Sequence, residues 1–344
     1  MAGRPHARAR LAARATLTDV AVRAGVSRQT ASRVARGGAG VRPETQERVQ
    51  SVIDELGYQP DVVARALKVG SAGMIGVLVH DLGRLGHGAE ILAGLEEAAA
   101  AAGLGVCIAR IGAFDATTVA EGIDRLHRTG CDGIVVMAPW IPDAESLRTV
   151  RATIPLVTTS QVEDFPGPSV HVDTDAAVRQ VVCHLLELGH RTVHHVAGPE
   201  DAMAAALRET SWRRALRDAG AHIPEVVRGD WSADSGYRAG CRVAEDREVS
   251  AIFAANDAMA LGVLHALLEH GVSIPDQVSV VGFDASPMSQ HTWPPLTTVG
   301  FDASEHARRA VDALLRRIRD EEVDPIPPLS PTLIVRASSG RRRA

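Results

Sequence analysis

Arg28, Gln29 and Arg33 are the first side chains whose types and spacing suggest a specific chemistry. An arginine fork donates two hydrogen bonds to guanine O6 and N7, and a primary amide pairs with the edge of adenine. The three lie in TLTDVAVRAGVSRQTASRVAR, residues 16–36, which has the spacing of two short helices joined by a tight turn. Val20, Ala21 and Ala24 fall on one face of the first helix. Gly25 stands in the turn, where a residue must tolerate positive φ. Val26 enters a small core, and the Ser27 hydroxyl is placed to cap the second helix. Ala31 and Val34 form the buried face of that helix. Arg28, Gln29 and Arg33 are then left on the opposite face, free to enter a DNA major groove.

A second set of polar residues stands at the ends of apolar runs. His80 and Asp81 follow MIGVLV, Ser160 follows PLVTT, Trp231 follows VVRGD, Asn256 and Asp257 follow AIFAA, and Asp284 follows VSVVGF. Arg208 lies just beyond AGPEDA, in the first turn of a helix or the loop entering it. Open parallel sheets bind ligands beyond the carboxyl ends of their strands. There Asp284 accepts from hydroxyls, Arg208 donates a fork, and Trp231 covers the apolar face of a sugar ring. Asn and Asp after a strand also cap the following helix, and this is the preferred reading of Asp257. Trp231 sits in the polar stretch GDWSADSGY and is read as a cleft residue. Trp212 and Trp293 are read as core or cleft-rim packing. HRTVHH has HxxxH spacing, but His190 and His194 share a strand face with no acidic third ligand beside them. No metal is expected there, and no cofactor anywhere. Cys107, Cys131, Cys183 and Cys241 are scattered without a CxxC pair, which indicates buried thiols in a reducing compartment.

The elements that must position these residues follow from periodicity. Pro43 opens a third helix with Glu44 in its first turn, Val49, Val52, Ile53 and Leu56 give its apolar stripe, and Gly57 ends it. In the following YQPDVVARALKVGSAG, the segment VVARALK forms at most one or two helical turns, marginal without a partner. From Met74 onward short β-branched runs alternate with amphipathic helices. Strands are predicted at 74–79, 105–109, 133–137, 155–159, 193–197, 251–255 and 278–283. Helices are predicted at 88–102, 116–129, 175–188, 203–219, 234–245, 257–270 and 304–320. This alternation indicates parallel sheets covered on both faces. The strand count suits two doubly wound subdomains, with crossings near His171–Thr174 and Thr297–Phe301.

Charge is unevenly placed along the 344 residues. Residues 1–70 hold 12 Lys or Arg against 6 Asp or Glu, whereas the whole chain carries a net −5. A basic head on an acidic body suits a small nucleic-acid-binding module attached to a sensor. No apolar run approaches the ~20 residues of a membrane span, and the first residues lack the apolar core of a secretory signal. A cytoplasmic, nucleoid-associated location is expected.

Together these residues resemble the LacI/GalR family of bacterial transcriptional repressors, from Thr16 to Ser339. The segment TLTDVAVRAGVSRQTASRVARG followed by RPETQERVQSVIDELGYQPDVVARALKVG is highly specific to that family. GDWSADSGY, AANDAMALG, VSVVGFDA, PPLTTV and PTLIVRAS add independent matches, nearest to the lactose-repressor branch. The resemblance implies an all-α helix-turn-helix headpiece plus an α/β periplasmic-binding-protein-like core of two doubly wound parallel-sheet subdomains. It divides the chain into a disordered basic arm (1–15), a DNA-binding domain (16–60), a hinge helix and linker (61–71) and a core (72–344). In the core, 72–172 and 300–330 form the first subdomain, and 173–299 and 331–339 the second.

The resemblance further implies a non-enzymatic repressor that binds a near-palindromic operator and responds to a sugar or glycoside in the cleft. Arg28, Gln29 and Arg33 match its base-reading positions, and Thr18, Ser27, Thr30, Ser32 and Arg36 belong to the same DNA-facing set. Ala64, Leu67 and Lys68 match the hinge helix, whose paired leucines wedge into the minor groove. Arg208, Asn256 and Asp284 match the main sugar-contacting positions, and Trp231 an aromatic wall. Ser160 stands where a sugar-binding Asp is found, and His80 is placed in the effector set from the first subdomain. With no heptad helix after Ser339, a homodimer is implied. Departures include Arg36 and Asp61 for the usual Asn, Arg42 for a Ser cap, Met137 for a polar pocket residue and Ser211 for Gly. Three alternatives stand beside this reading. They are a transport-type solute-binding protein, a sugar-converting enzyme using Asp284, Asp257 and His80, and a catabolite-control regulator gated by a protein partner or phosphorylated metabolite.

Overall fold

The computed structural model describes residues 15–35, 40–58, 72–80, 88–112, 115–137, 154–162 and 165–342. The chain divides into two units, Met1–Ala72 and Gly73–Ala344. The hinge residues Ala64, Leu67 and Lys68, the basic arm and Arg36 lie outside the described residues.

Among its described residues the smaller unit holds three helices, α1 (Leu17–Ala24), α2 (Arg28–Val34) and α3 (Pro43–Leu56). Thr16 opens α1 with a capping box: its N–H and O–H donate to the Asp19 carboxylate at 2.8 and 2.7 Å, and its oxygen accepts from Asp19 N. These bonds hold the Asp19 carboxyl below its usual range. Gly25 ends α1 at φ 64° and Gly57 ends α3 at φ 58°, both left-handed positions. Ser27 caps α2 by accepting from Thr30 N at 3.1 Å. Arg42, standing at the cap of α3, makes no side-chain cap bond. Val20, Ala21, Ala24, Ala31, Val34, Val49, Val52 and Ile53 close one core, with Val26 and Leu56 packed at its edge.

The larger unit is built on two sheets. The first runs in the order β2-β1-β3-β4 and is parallel throughout, with β1 (Met74–Val79), β2 (Gly105–Arg110), β3 (Gly133–Met137) and β4 (Leu156–Thr158). One face packs on α4 (Gly88–Ala101), the other on α5 (Ala116–Arg128). At Asp173 the chain caps α6 (Thr174–Glu187) and enters the second sheet. That sheet has the order β10-β9-β8-β7-β5-β6. Its strands are β5 (His194–Ala197), β6 (Val227–Arg228), β7 (Ala251–Ala254), β8 (Ser279–Phe283), β9 (Thr297–Gly300) and β10 (Thr332–Ile334). α6 and α7 (Met203–Asp218) cover one face; α8 (Ala233–Ala244) and α9 (Asp257–Glu269) cover the other. After β9 the chain returns to the first sheet as α10 (Ala303–Ile318), which packs Ala307, Ala310, Val311 and Leu314 into that sheet's core. A third passage follows the bridge between Val172 and Leu329 and ends in β10.

The two α/β layers and the seven core helices predicted from periodicity all stand among the described residues where they were expected. Three strands were not anticipated. β6 is two residues long, β9 reads TTVG with polar Thr at its start, and β10 runs antiparallel to β9. The antiparallel edge departs from the all-parallel expectation because the chain leaves the carboxyl end of β9 for α10 on the first sheet and, after passing the Val172–Leu329 bridge, re-enters the second sheet from that same end, so β10 runs against β9. Among the described residues no helix is long and apolar enough to cross a membrane.

Candidate functional site

In the smaller unit, α2 presents a polar face. Arg28, Gln29 and Arg33 are exposed, as are Thr18 and Ser27, while Thr30 and Ser32 are half-buried. Thr30 and Ser27 share a hydroxyl contact at 2.9 Å, so the cap organises two of these polar groups. The opposite face is held by Ala31 and Val34. The helix is therefore held by its apolar side, and Arg28, Gln29 and Arg33 stand exposed on the other.

In the larger unit, Arg208, Trp231, Asn256 and Asp284 meet at the carboxyl end of the second sheet. Arg208 lies in the second turn of α7, one turn later than expected. It donates to the Asp284 carboxylate at 3.2 Å and to the Ala255 carbonyl. Its guanidinium carbon lies 3.7 Å from the centre of the Phe283 ring and 5.5 Å from that of Trp231. Phe283 was not singled out from sequence, because an apolar residue ending a buried strand reads as core. Asn256 caps α9 by accepting from Met259 N at 2.8 Å, and its amide donates to the Trp231 carbonyl at 3.0 Å. The cap residue is thus Asn256 and not Asp257. Asp257 is turned inward, where it accepts from Thr298 Oγ1 at 2.6 Å and Ser286 N at 2.7 Å. The Asn side chain can reach the helix N–H while its amide still serves Trp231, a pair of tasks a carboxylate cannot perform.

Backbone strain gathers here. Trp231, Asp284 and Ala285 take φ of 72°, 106° and 54°, and among the described non-glycine residues only Asp320 joins them. Asp284 N donates to the Val299 carbonyl at 2.8 Å, which fixes its unusual conformation. A Cβ on Gly300 would lie 2.3 Å from Ala285, and one on Gly198 2.5 Å from the Trp231 ring. These two glycines make room for the strained turn and the indole.

Burial dominates the electrostatics. It pushes the Asp284 carboxyl up to about 6, with Arg208 pulling the other way. Burial, then the neighbouring Asp284, push Asp257 up to about 7. Burial also lowers the Arg208 guanidinium from its usual range, against the pull of Asp284. The arrangement offers a guanidinium fork, a carboxylate acceptor and two aromatic surfaces within one strained, buried cluster.

His80 and Ser160 stand apart from these four, on the first sheet. His80 follows β1, with Nε2 3.1 Å from the Gly112 carbonyl. Ser160 follows β4; its N–H donates to Thr158 Oγ1 at 3.1 Å and its carbonyl accepts from Ser169 at 2.8 Å. Asp81 lies outside the described residues. Trp212 is fully buried and donates to the Val193 carbonyl at 2.9 Å. Trp293, expected to pack, is 83 % exposed. The histidine-rich run is structural. His190 precedes β5 and contacts Ser250 and Ser279, and buried His195 donates from Nδ1 to the Phe253 carbonyl at 2.9 Å. Among the described residues no cluster of three acidic, His or Cys side chains could hold a metal ion. The thiols are not uniformly buried: Cys131 is, Cys107 and Cys241 are half-buried, and Cys183 is exposed.

Residues 16–61 match the family described as bacterial regulatory proteins, lacI family, and residues 182–339 match a periplasmic binding protein-like domain. The regulator CelR of Thermobifida fusca is 33% identical over 327 residues, covering 91% of this chain and 94% of its own. The chain belongs to the lacI family. Among solved structures, the lac repressor dimer bound to operator and the anti-inducer ONPF superposes with a TM-score of 0.86 at 30% identity, covering 95% of this chain and 99% of that one. The CelR–cellobiose complex superposes with a TM-score of 0.69 at 30% identity, covering 94% and 100%. As a lacI-family protein with both the helix-turn-helix unit and the two-layered core, the chain is a DNA-binding transcriptional regulator.

Proposed function

We propose that this lacI-family chain is a homodimeric repressor whose operator affinity changes when a neutral polyhydroxylated ligand, a sugar or glycoside, occupies the core. The observation that carries the ligand class is the Arg208–Asp284 pair, joined at 3.2 Å and stacked on Phe283 beside Trp231. A vicinal diol bonds to such a pair by accepting from the guanidinium and donating to the carboxylate, while the indole meets the C–H face of the ring. Two carboxyl groups, Asp257 and Asp284, surround one guanidinium, so the cluster holds no surplus positive charge for a phosphate. This disfavours a phosphorylated metabolite as effector. The sugar-bound CelR relative supports the same choice.

In this reading Arg28, Gln29 and Arg33 read bases, with Thr18, Ser27, Thr30, Ser32 and Arg36 positioning the helix on phosphates. Ala64, Leu67 and Lys68 belong to a hinge that couples residues 16–60 to the core 72–344. His80 and Ser160 approach the ligand from the first subdomain. The chain performs no catalysis and acts on DNA in the cytoplasm.

A thermal-shift screen of the full chain against cellobiose, other disaccharides, glycosides and sugar phosphates tests the proposal, because a ligand bound only to the folded state raises Tm by mass action. Stabilisation by a neutral saccharide that also alters operator retention is the expected result. Stabilisation by sugar phosphates alone would overturn the assignment of ligand class.

A further inference from the structure

Two of the four cysteines share one hydrophobic cluster. Cys131, just after α5, is buried in it, and half-buried Cys107, in the middle of β2, packs against it. The register explains how residues far apart in sequence meet. Cys107 pairs across the ladder with Gly76 of β1, so both face the same side of the sheet. That side is the one covered by α5, because a Cβ on Gly76 would lie 2.9 Å from Leu126. Cys131 N donates to the Leu126 carbonyl at 3.1 Å, which folds the turn after α5 back toward the strands. Both side chains therefore enter the one cluster beneath α5, close enough for Cys107 to be among the groups that raise the Cys131 thiol.

The pair adjoins a structural clamp. Asp132, next to Cys131, accepts from Gly73 N at 2.8 Å and Met74 N at 3.3 Å, and its own N–H donates to the Met74 carbonyl at 2.8 Å. Those are the first residues of the larger unit, where the chain arrives from residues 59–71.

We propose that Cys107 and Cys131 form an oxidisable dithiol, a modification site at which a hydroperoxide produces an intramolecular disulfide joining β2 to the segment entering β3. The more accessible Cys107 sulfur attacks the peroxide O–O bond and becomes a sulfenic acid, and the displaced hydroxide takes the Cys107 thiol proton and leaves as water. Cys131 sulfur then attacks the Cys107 sulfur, the S–O bond breaks, and the Cys131 proton leaves with the hydroxyl as a second water. The two thiols lose two electrons and the peroxide gains them. Burial first, and then Cys107 itself, push the Cys131 thiol up to about 12, and Cys131 is the more buried of the two, so a peroxide in solution reaches Cys107 first.

The test treats the full wild-type chain with hydrogen peroxide or diamide, blocks remaining thiols after denaturation and maps the peptides by mass spectrometry. The expected product is a Cys107–Cys131 linked peptide, two hydrogens lighter than the sum of its parts and cleaved by dithiothreitol. Cys107→Ser and Cys131→Ser should each lose the product, and Cys183→Ser should retain it. Full alkylation of Cys107 and Cys131 after oxidant treatment would overturn the proposal. So would oxidation confined to sulfinic acid at Cys107 or to intermolecular disulfides through Cys183. The decisive map is made on the wild-type chain, so a variant that fails to fold leaves the result standing.

Discussion

Asp257 and Asp284 set two carboxyl groups about the Arg208 guanidinium, and the consequences differ for each residue. Replacing Arg208 with Lys keeps the charge but loses the planar fork that reaches both Ala255 and Asp284. An underbonded buried carboxylate costs ~1–3 kcal/mol, so Arg208→Lys should weaken saccharide binding roughly ten- to a hundredfold, measured by calorimetry. Unchanged affinity would remove Arg208 from the ligand contacts. Asp257 makes a pH prediction. Its carboxyl stands near about 7 instead of its ordinary 3.8, so folding favours the protonated form. The sign follows: its stabilising contribution is complete below about 4 and fades as pH rises through about 7. In Asp257→Asn an amide can still accept from Ser286 and donate to Thr298, and nothing titrates. The Tm of the variant relative to wild type should therefore rise between pH 5 and pH 8, by an amount equivalent to ~2–4 kcal/mol. Parallel melting curves across that range would show that Asp257 is not the titrating group.

At the scale of elements, α2 shows what was legible in the sequence. Its start, its buried face and its polar face were all readable, because cap chemistry and helical period act within a few residues. Ser27→Ala removes the bond to Thr30 N and should cost about 1 kcal/mol of stability in the smaller unit, read from its thermal melt. Arg28→Ala and Arg33→Ala should leave that melt nearly unchanged, since both side chains are exposed. Each should instead lose ~1–3 kcal/mol of discrimination between operator and scrambled DNA, measured by competition at fixed salt. Equal losses on both DNAs would make them phosphate contacts. What was not legible depended on distant neighbours. β6 is too short to carry a period, and β10 is defined by its ladder with β9. Asn256 and Asp257 are equally good caps by composition; only Thr298 and Ser286, from strand and loop far along the chain, draw Asp257 away. Phe283 and Gly198 escaped notice for the same reason, since their roles exist only once Arg208 and Trp231 are in place.

At the scale of the whole molecule, the question is whether sensing and DNA reading are separable. Each unit carries a complete core of its own, the smaller closed by Val20, Ala31, Val49 and Ile53, the larger by the clusters on both faces of its two sheets. Gly73 N and Met74 N are anchored by Asp132, within the larger unit, which holds the start of β1. A chain beginning at Gly73 should therefore fold with a melting temperature close to that of the corresponding transition in the full protein. It should bind saccharide with the same affinity and have no measurable affinity for operator DNA. The experiment discriminates among the readings of the molecule. Retained saccharide binding with lost DNA binding locates the sensor in the larger unit alone. Saccharide binding lost from a folded truncation would mean that residues 1–72 contribute to the ligand site, a contribution that the Arg208, Trp231 and Asp284 cluster does not require.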